Sequence, residues 1–295
     1  MRIRSGLRRL LVAGVVGAVV VLSAAALPAA AAGPRENWAA VTSPHFHQLP
    51  SGNQLTRVDD PGAVDGTALR MRLVAGPGVG PDAGIQIASN QSYGYGEYST
   101  RMKAADCSGQ PGVGVVTGVF TYSTDHADGN GDGLPDNSEI DIEWLCAQPE
   151  VIYLTIWTDY ADSELRKVSR VIDLRAGKII STCFSTHFGE CMPVSASENQ
   201  PTSVPAIAGY NSATEYFEYG FSWSADAVTY YLVDRAGKRV TLWDYRGPAT
   251  RIPSKPGAFM QNVWHTNNWD PYGFPAHNQP TQHTDAVVDW TQLPR

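Results

Sequence analysis

Glu139-Ile140-Asp141-Ile142-Glu143-Trp144-Leu145 alternates carboxylates with apolar side chains without a break. A β-strand sends successive side chains to opposite faces, so the three acids share one face and Ile140, Ile142 and Trp144 the other. A helical period would align Glu139 with Glu143, throw Asp141 to the far side and leave no apolar stripe. The stretch therefore reads as a strand with one face in a core. Outward from it the same texture continues. Short alternating runs at 68–74, 84–88, 97–104, 115–122, 139–145, 151–158, 169–174, 216–223, 228–233, 239–243, 259–264 and 286–290 are separated by Gly, Pro, Asn and Asp clusters, and no amphipathic helix is evident. Asp234-Arg235-Ala236-Gly237-Lys238 has the composition of a hairpin turn. So many strands in one unit predict an all-β fold, a jelly-roll sandwich of two packed antiparallel sheets. Residues 182–211, rich in Ser, Pro and Thr, read as a surface excursion.

Three like charges on one strand face are costly unless they serve a purpose. At about 3.3 Å per residue the Glu139 and Glu143 Cα atoms stand roughly 13 Å apart, and side chains leaning together close that to about 5–6 Å. Retaining glycosidases need two carboxyl groups at about 5–5.5 Å, one to attack the anomeric carbon and one to protonate the leaving oxygen. An Asp between them can share a proton with the attacking group and hold up the pKa of the acid. A solvated acidic strand face or a cation site is the plainer alternative.

Residues 1–32 carry Arg2, Arg4, Arg8 and Arg9, an apolar run and closing alanines, which reads as a secretory signal peptide. Its removal takes away four of the 22 Lys+Arg and none of the 29 Asp+Glu, leaving a formal net charge of −11. That balance disfavours nucleic acid as a partner. With no other long apolar run, the chain is expected to be secreted, extracellular and off the membrane once the leader is cleaved, with residues 33–295 as a single β-sandwich catalytic domain and a monomer. Cys107, Cys146, Cys183 and Cys191 allow three disulfide pairings; Cys183–Cys191 with Cys107–Cys146 is preferred because the strand layout can bring each pair together.

The chain resembles the family-16 glycoside hydrolases, the laminarinase and lichenase group built on concanavalin-like jelly rolls. Glu139, Asp141 and Glu143 meet the E-x-D-x-E signature. Tyr93-Gly94-Tyr95-Gly96-Glu97-Tyr98 with Arg101-Met102-Lys103-Ala104 upstream, and Phe221-Ser222-Trp223, 259–264 and Val288-Asp289-Trp290 downstream, fall in the family's order. The resemblance implies Glu139 as nucleophile, Asp141 as its assistant, Glu143 as general acid/base, and a β-1,3-, β-1,4- or mixed-linkage glucan as the polysaccharide partner. The motif is similar to the regular-strand branch, without the extra residue of the bulged form. A transglycosylase of the same family, or a non-catalytic carbohydrate-binding lectin, are the alternatives; a lectin has no need of the complete triad.

Aromatic rings stack on the C–H faces of sugars. Tyr153, Trp157 and Asp159, expected on one face of the strand after the triad, and Trp264 and Trp269, in a second polar-aromatic group with Tyr272 and Asp270, are candidate substrate-binding residues. The chemistry needs no cofactor. A structural Ca2+ is the one ion the sequence suggests: residues 128–139 have calcium-loop spacing, with Asp128, Asn130, Asp132 and Asp136 as ligands and Glu139 left for chemistry. The family resemblance adds Asp289 as a second calcium candidate.

Overall fold

The computed structural model describes residues 33–49, 53–76, 80, 82–129, 131–161, 164–269 and 276–295. The expected leader, Asn130, Asp270 and Tyr272 lie outside them. Among the described residues sixteen strands, numbered in chain order, form two eight-stranded sheets, and every strand pairing is antiparallel. The first sheet runs β14 (Arg239–Tyr245), β13 (Val228–Val233), β12 (Phe217–Trp223), β6 (Gly96–Lys103), β16 (Thr284–Gln292), β4 (Thr67–Leu73), β3 (Gln54–Asp59), with β1 (Arg35–Glu36) also on β16. The second runs β11 (Lys178–Ser185), β10 (Glu164–Asp173), β9 (Val151–Ala161), β8 (Asp136–Leu145), β7 (Val115–Thr124), β15 (Gly257–His265), β5 (Gly84–Tyr93), β2 (Phe46–Gln48). Strands distant in sequence lie side by side, β6 with β12 and β7 with β15, as a jelly roll requires. A single 3-10 turn, Ala249–Arg251, is the one helical element among the described residues.

The core forms where the apolar faces meet. Ile140, Ile142 and Trp144 of β8 and Ile152, Leu154 and Ile156 of β9 are fully buried. The Trp144 ring lies 4.5 Å from that of Tyr219 on the opposite sheet, and Tyr98 stands 5.3 Å from Phe259. With β8 central and its apolar side spent on this core, the other side necessarily presents the acids outward. Both disulfides pair as preferred, Cys107–Cys146 and Cys183–Cys191. The latter closes a loop at the end of β11, so the segment expected to be irregular begins with four residues of strand.

Candidate active site

Glu139, Asp141 and Glu143 stand on the outward face of β8, between β7 and β9. Cross-strand register sets their neighbours. Tyr122 and Trp157 flank Glu139, Phe120 and Thr155 flank Asp141, and Gly118 and Tyr153 flank Glu143. The glycine leaves the general neighbourhood of Glu143 open on one side. An added Cβ there would meet Asn262 Oδ1 at 2.7 Å, so Gly118 is what allows the Asn262 amide to lie across β7 toward the triad.

Three specific bonds tie the triad together. Asn137 Nδ2 donates to Glu139 Oε2 at 3.1 Å, and Trp157 Nε1 donates to Asp141 Oδ2 at 3.0 Å. The Asp141 and Glu139 carboxyl groups also share a hydrogen bond, which stabilises the charge on Glu139 at the expense of Asp141. Burial dominates the electrostatics. It pushes Glu143 up to about 8, helped by the charge of Glu139 and opposed by the ammonium of Lys167. It pushes Glu139 up to about 7 against the two hydrogen bonds. Asp141 is driven well above the usual carboxylate range, by burial first and then by the charges of Glu139 and Glu143. Near neutral pH such a site holds protons as a group and stores both an acid and a base, which is what acid-assisted displacement at an acetal carbon requires.

The expected aromatic residues divide. Trp157 is partly exposed beside Glu139 and Asp141, as the alternation indicated. Tyr153 is on the triad face but buried: its hydroxyl donates to Gln148 Oε1 at 2.5 Å and its ring packs edge-on to Trp269 at 5.4 Å. Trp264 and Trp269 pack against the same small apolar cluster with Val116, Leu145 and Val171, forming one wall rather than open platforms. Asp159 departs from the expectation. The β9–β10 and β9–β8 registers both slip at Thr158, and this bulge breaks the alternation. Asp159 is 0% exposed, and Tyr160 stands beside Trp157 in its place, ring centroids 6.1 Å apart.

The calcium candidates do not fit the ion. Asp128 accepts from the backbone N–H groups of Gly131, Asp132 and Gly133, folding the loop onto its own carboxylate. Asp132 Oδ1 accepts from the Leu134 N–H. Asp136 Oδ2 pairs with Lys255 Nζ at 2.7 Å and accepts from the Gly129 N–H. Asp289 is ion-paired to Arg101 and accepts from the Val64 N–H. Cationic side chains thus stand at both places where the metal charge was expected, and no group of three or more His, Cys, Asp or Glu suited to a metal occurs among the described residues. The residues that the sequence did not single out are Asn262, Lys167, Tyr160 and Phe188. Only the Gly118–Asn262 pairing left a trace in the sequence, as a glycine within the β-branched and aromatic run Val115–Tyr122.

Three carboxyl groups thus stand together on the outward face of a central strand of a jelly-roll sandwich, Asp141 buried and Glu139 and Glu143 partly so. The model of Glycosyl hydrolases family 16 matches residues 46–176. A β-glucanase of Bacillus subtilis (strain 168) is 25% identical over 182 residues, 62% of this chain and 52% of that protein. A β-glucanase of Acetivibrio thermocellus is 30% identical over 183 residues, 61% of this chain and 36% of that protein. The chain thus spans about half or less of the length of these curated relatives. Among solved structures, the β-glucanase of Bacillus licheniformis shares the fold with a TM-score of 0.53, covering 90% of this chain and 99% of that one at 18% identity.

Proposed function

We propose that this protein is a secreted, endo-acting, retaining glycoside hydrolase of β-glucans, with residues 1–32 as a cleaved leader and 33–295 as its catalytic domain. The observation that carries the reading is the Glu139–Asp141–Glu143 face, largely desolvated yet open at both glutamates. In the first step a Glu139 oxygen attacks the anomeric carbon, the glycosidic C–O bond breaks, and Glu143 gives its proton to the departing oxygen. In the second, Glu143, now a carboxylate, takes a proton from water as the water oxygen displaces Glu139 from that carbon. Burial favours the protonated form of Glu143 in which the cycle begins. Asp141 shares a proton with Glu139, and Trp157 fixes Asp141 by its indole N–H.

Asn262 has a role beside Glu143: its amide oxygen is buried without a hydrogen-bond partner among the described residues and suits a sugar hydroxyl. The β-glucanase names of the relatives support the substrate class, and the two disulfides suit an oxidising compartment. Reducing-end release from mixed-linkage β-glucan and laminarin by the purified protein, with Glu143→Gln alongside, tests the proposal. Release that is lost in the variant supports it; equal release by both would overturn it.

A further inference from the structure

The triad face ends, on the β9–β10 side, in a group of side chains of which the proposed mechanism uses only the Trp157 indole N–H. Trp157, Tyr160 and Phe188 form a three-ring corner with centroids 6.1, 6.2 and 6.3 Å apart. Their planes meet at 81°, 58° and 73°, so the rings wall a corner rather than pave a flat floor. Phe188 is 59% exposed and Tyr160 43% exposed. Large apolar rings left in water side by side are costly unless a partner covers them.

Lys167 extends into the same corner. It lies opposite Trp157 on β10, and its ammonium stands 4.8 Å from the centre of the Trp157 ring and 5.6 Å from that of Phe188. Its charge acts on Glu143 and Asp141, and among the described residues its ammonium donates no hydrogen bond and forms no close ion pair, which leaves its N–H groups for a ligand.

Phe188 is held in place by construction. Its loop is closed by Cys183–Cys191, Phe184 and Met192 exchange backbone hydrogen bonds at its base, and Glu190 Oε2 accepts from the Thr186 and His187 N–H groups. A loop stapled in this way presents its ring at little entropic cost on binding. The bulge at Thr158 supplies the other half by turning Tyr160 to the triad side. Two independent irregularities of the backbone therefore converge on one corner next to Glu139.

We infer that Lys167, Tyr160 and Phe188 form, with Trp157, a glycosyl-binding subsite that holds one pyranose of the bound glucan beyond the Glu139 end of the triad. The ring faces of Phe188 and Tyr160 cover the sugar's C–H surfaces, and the Lys167 ammonium donates to its hydroxyl oxygens. This deepens the proposed function and rests on it. The occupant is fixed by continuity: a polymer lying across Glu139 and Trp157 must pass this corner to leave the sheet on that side.

The test is titration calorimetry of the catalytically inactive Glu139→Gln protein with a mixed-linkage β-glucan hexasaccharide, alone and with Phe188→Ala or Lys167→Met added. Each addition is expected to raise the Kd by about three- to tenfold, the worth of one lost ring contact or hydrogen bond. Phe188 is exposed and Lys167 partly so, and the thermal midpoint of each protein, measured alongside, confirms a folded sample. Tight disulfide closure gives a second reading: reduction of Cys183–Cys191 should weaken binding in the Phe188-containing protein and leave the Phe188→Ala protein as it was. Unchanged Kd in both variants overturns the subsite while leaving the proposed function standing. Absence of binding to any of the proteins overturns the proposed substrate, and the subsite with it.

Discussion

Replacing Glu143 with Gln should make the folded protein more stable at neutral pH and leave its stability unchanged in acid. Burial and the Glu139 charge raise the carboxyl from 4.5 to about 8. Below pH 4.5 the group is protonated in both folded and unfolded chains and costs nothing. Above it, the unfolded chain releases the proton while the folded chain retains it. Folding stability therefore falls by about 1.4 kcal/mol per pH unit until the folded group itself titrates. At pH 7 the accumulated loss from this residue is about 3 kcal/mol. Gln keeps the shape and cannot ionise, so the variant escapes the loss. Urea unfolding of both proteins at pH 4, 5.5 and 7 measures it. Ion pairs elsewhere, such as Arg72–Asp285 and Lys103–Asp60, titrate alike in both proteins and cancel in the difference. The expected result is a difference near zero at pH 4 that grows to about 3 kcal/mol in favour of the variant at pH 7. A difference independent of pH, or a wild-type protein that is the more stable at pH 7, would refute a buried, proton-retaining Glu143.

Three further outcomes follow from other contacts. Trp157→Phe keeps a ring in place but deletes the N–H that Asp141 accepts, and should lower kcat on β-glucan by about tenfold, read by steady-state kinetics. Gly118→Ala drives a methyl group against the Asn262 amide and should lower kcat/KM by roughly three- to tenfold, with a crystal structure showing Asn262 displaced; an unmoved Asn262 would contradict the close approach. Because Lys255 and Arg101 already neutralise Asp136 and Asp289, dialysis against EDTA should move the thermal midpoint by no more than about 1 °C, and a larger drop reversed by Ca2+ would restore the calcium loop.

Strands with two neighbours were legible in the sequence, whereas of those with one neighbour only β14 was, and β1 was missed with the rest. The missed β2 and β3 are sheet edges, and β11, expected as part of a surface excursion from residue 182, is another. An edge strand such as Gln54–Asp59 is mostly exposed, so it needs little of the hydrophobic alternation by which strands are recognised. β8 is the opposite case: pinned on both sides and buried on one face, it has a register that its own side chains dictate. The site follows the same division. The triad could be read from one strand alone. Asp159 and Tyr160 could not, because the bulge that exchanges them is decided by pairing with β8 and β10 rather than by β9. Lys167 lies where β10 begins five residues earlier than its apolar pattern. Phe188 depends on a disulfide loop folding back over the sheet, a relation no local pattern encodes.

The central claim is that Glu139 attacks and Glu143 protonates across one face of a regular strand. Proton NMR of a mixed-linkage β-glucan oligosaccharide during the first minutes of hydrolysis, before the new reducing end mutarotates, tests it most directly. The β-anomer is expected to appear first, since two displacements at one carbon restore its configuration. Initial release of the α-anomer would mean a single displacement by water and would contradict it.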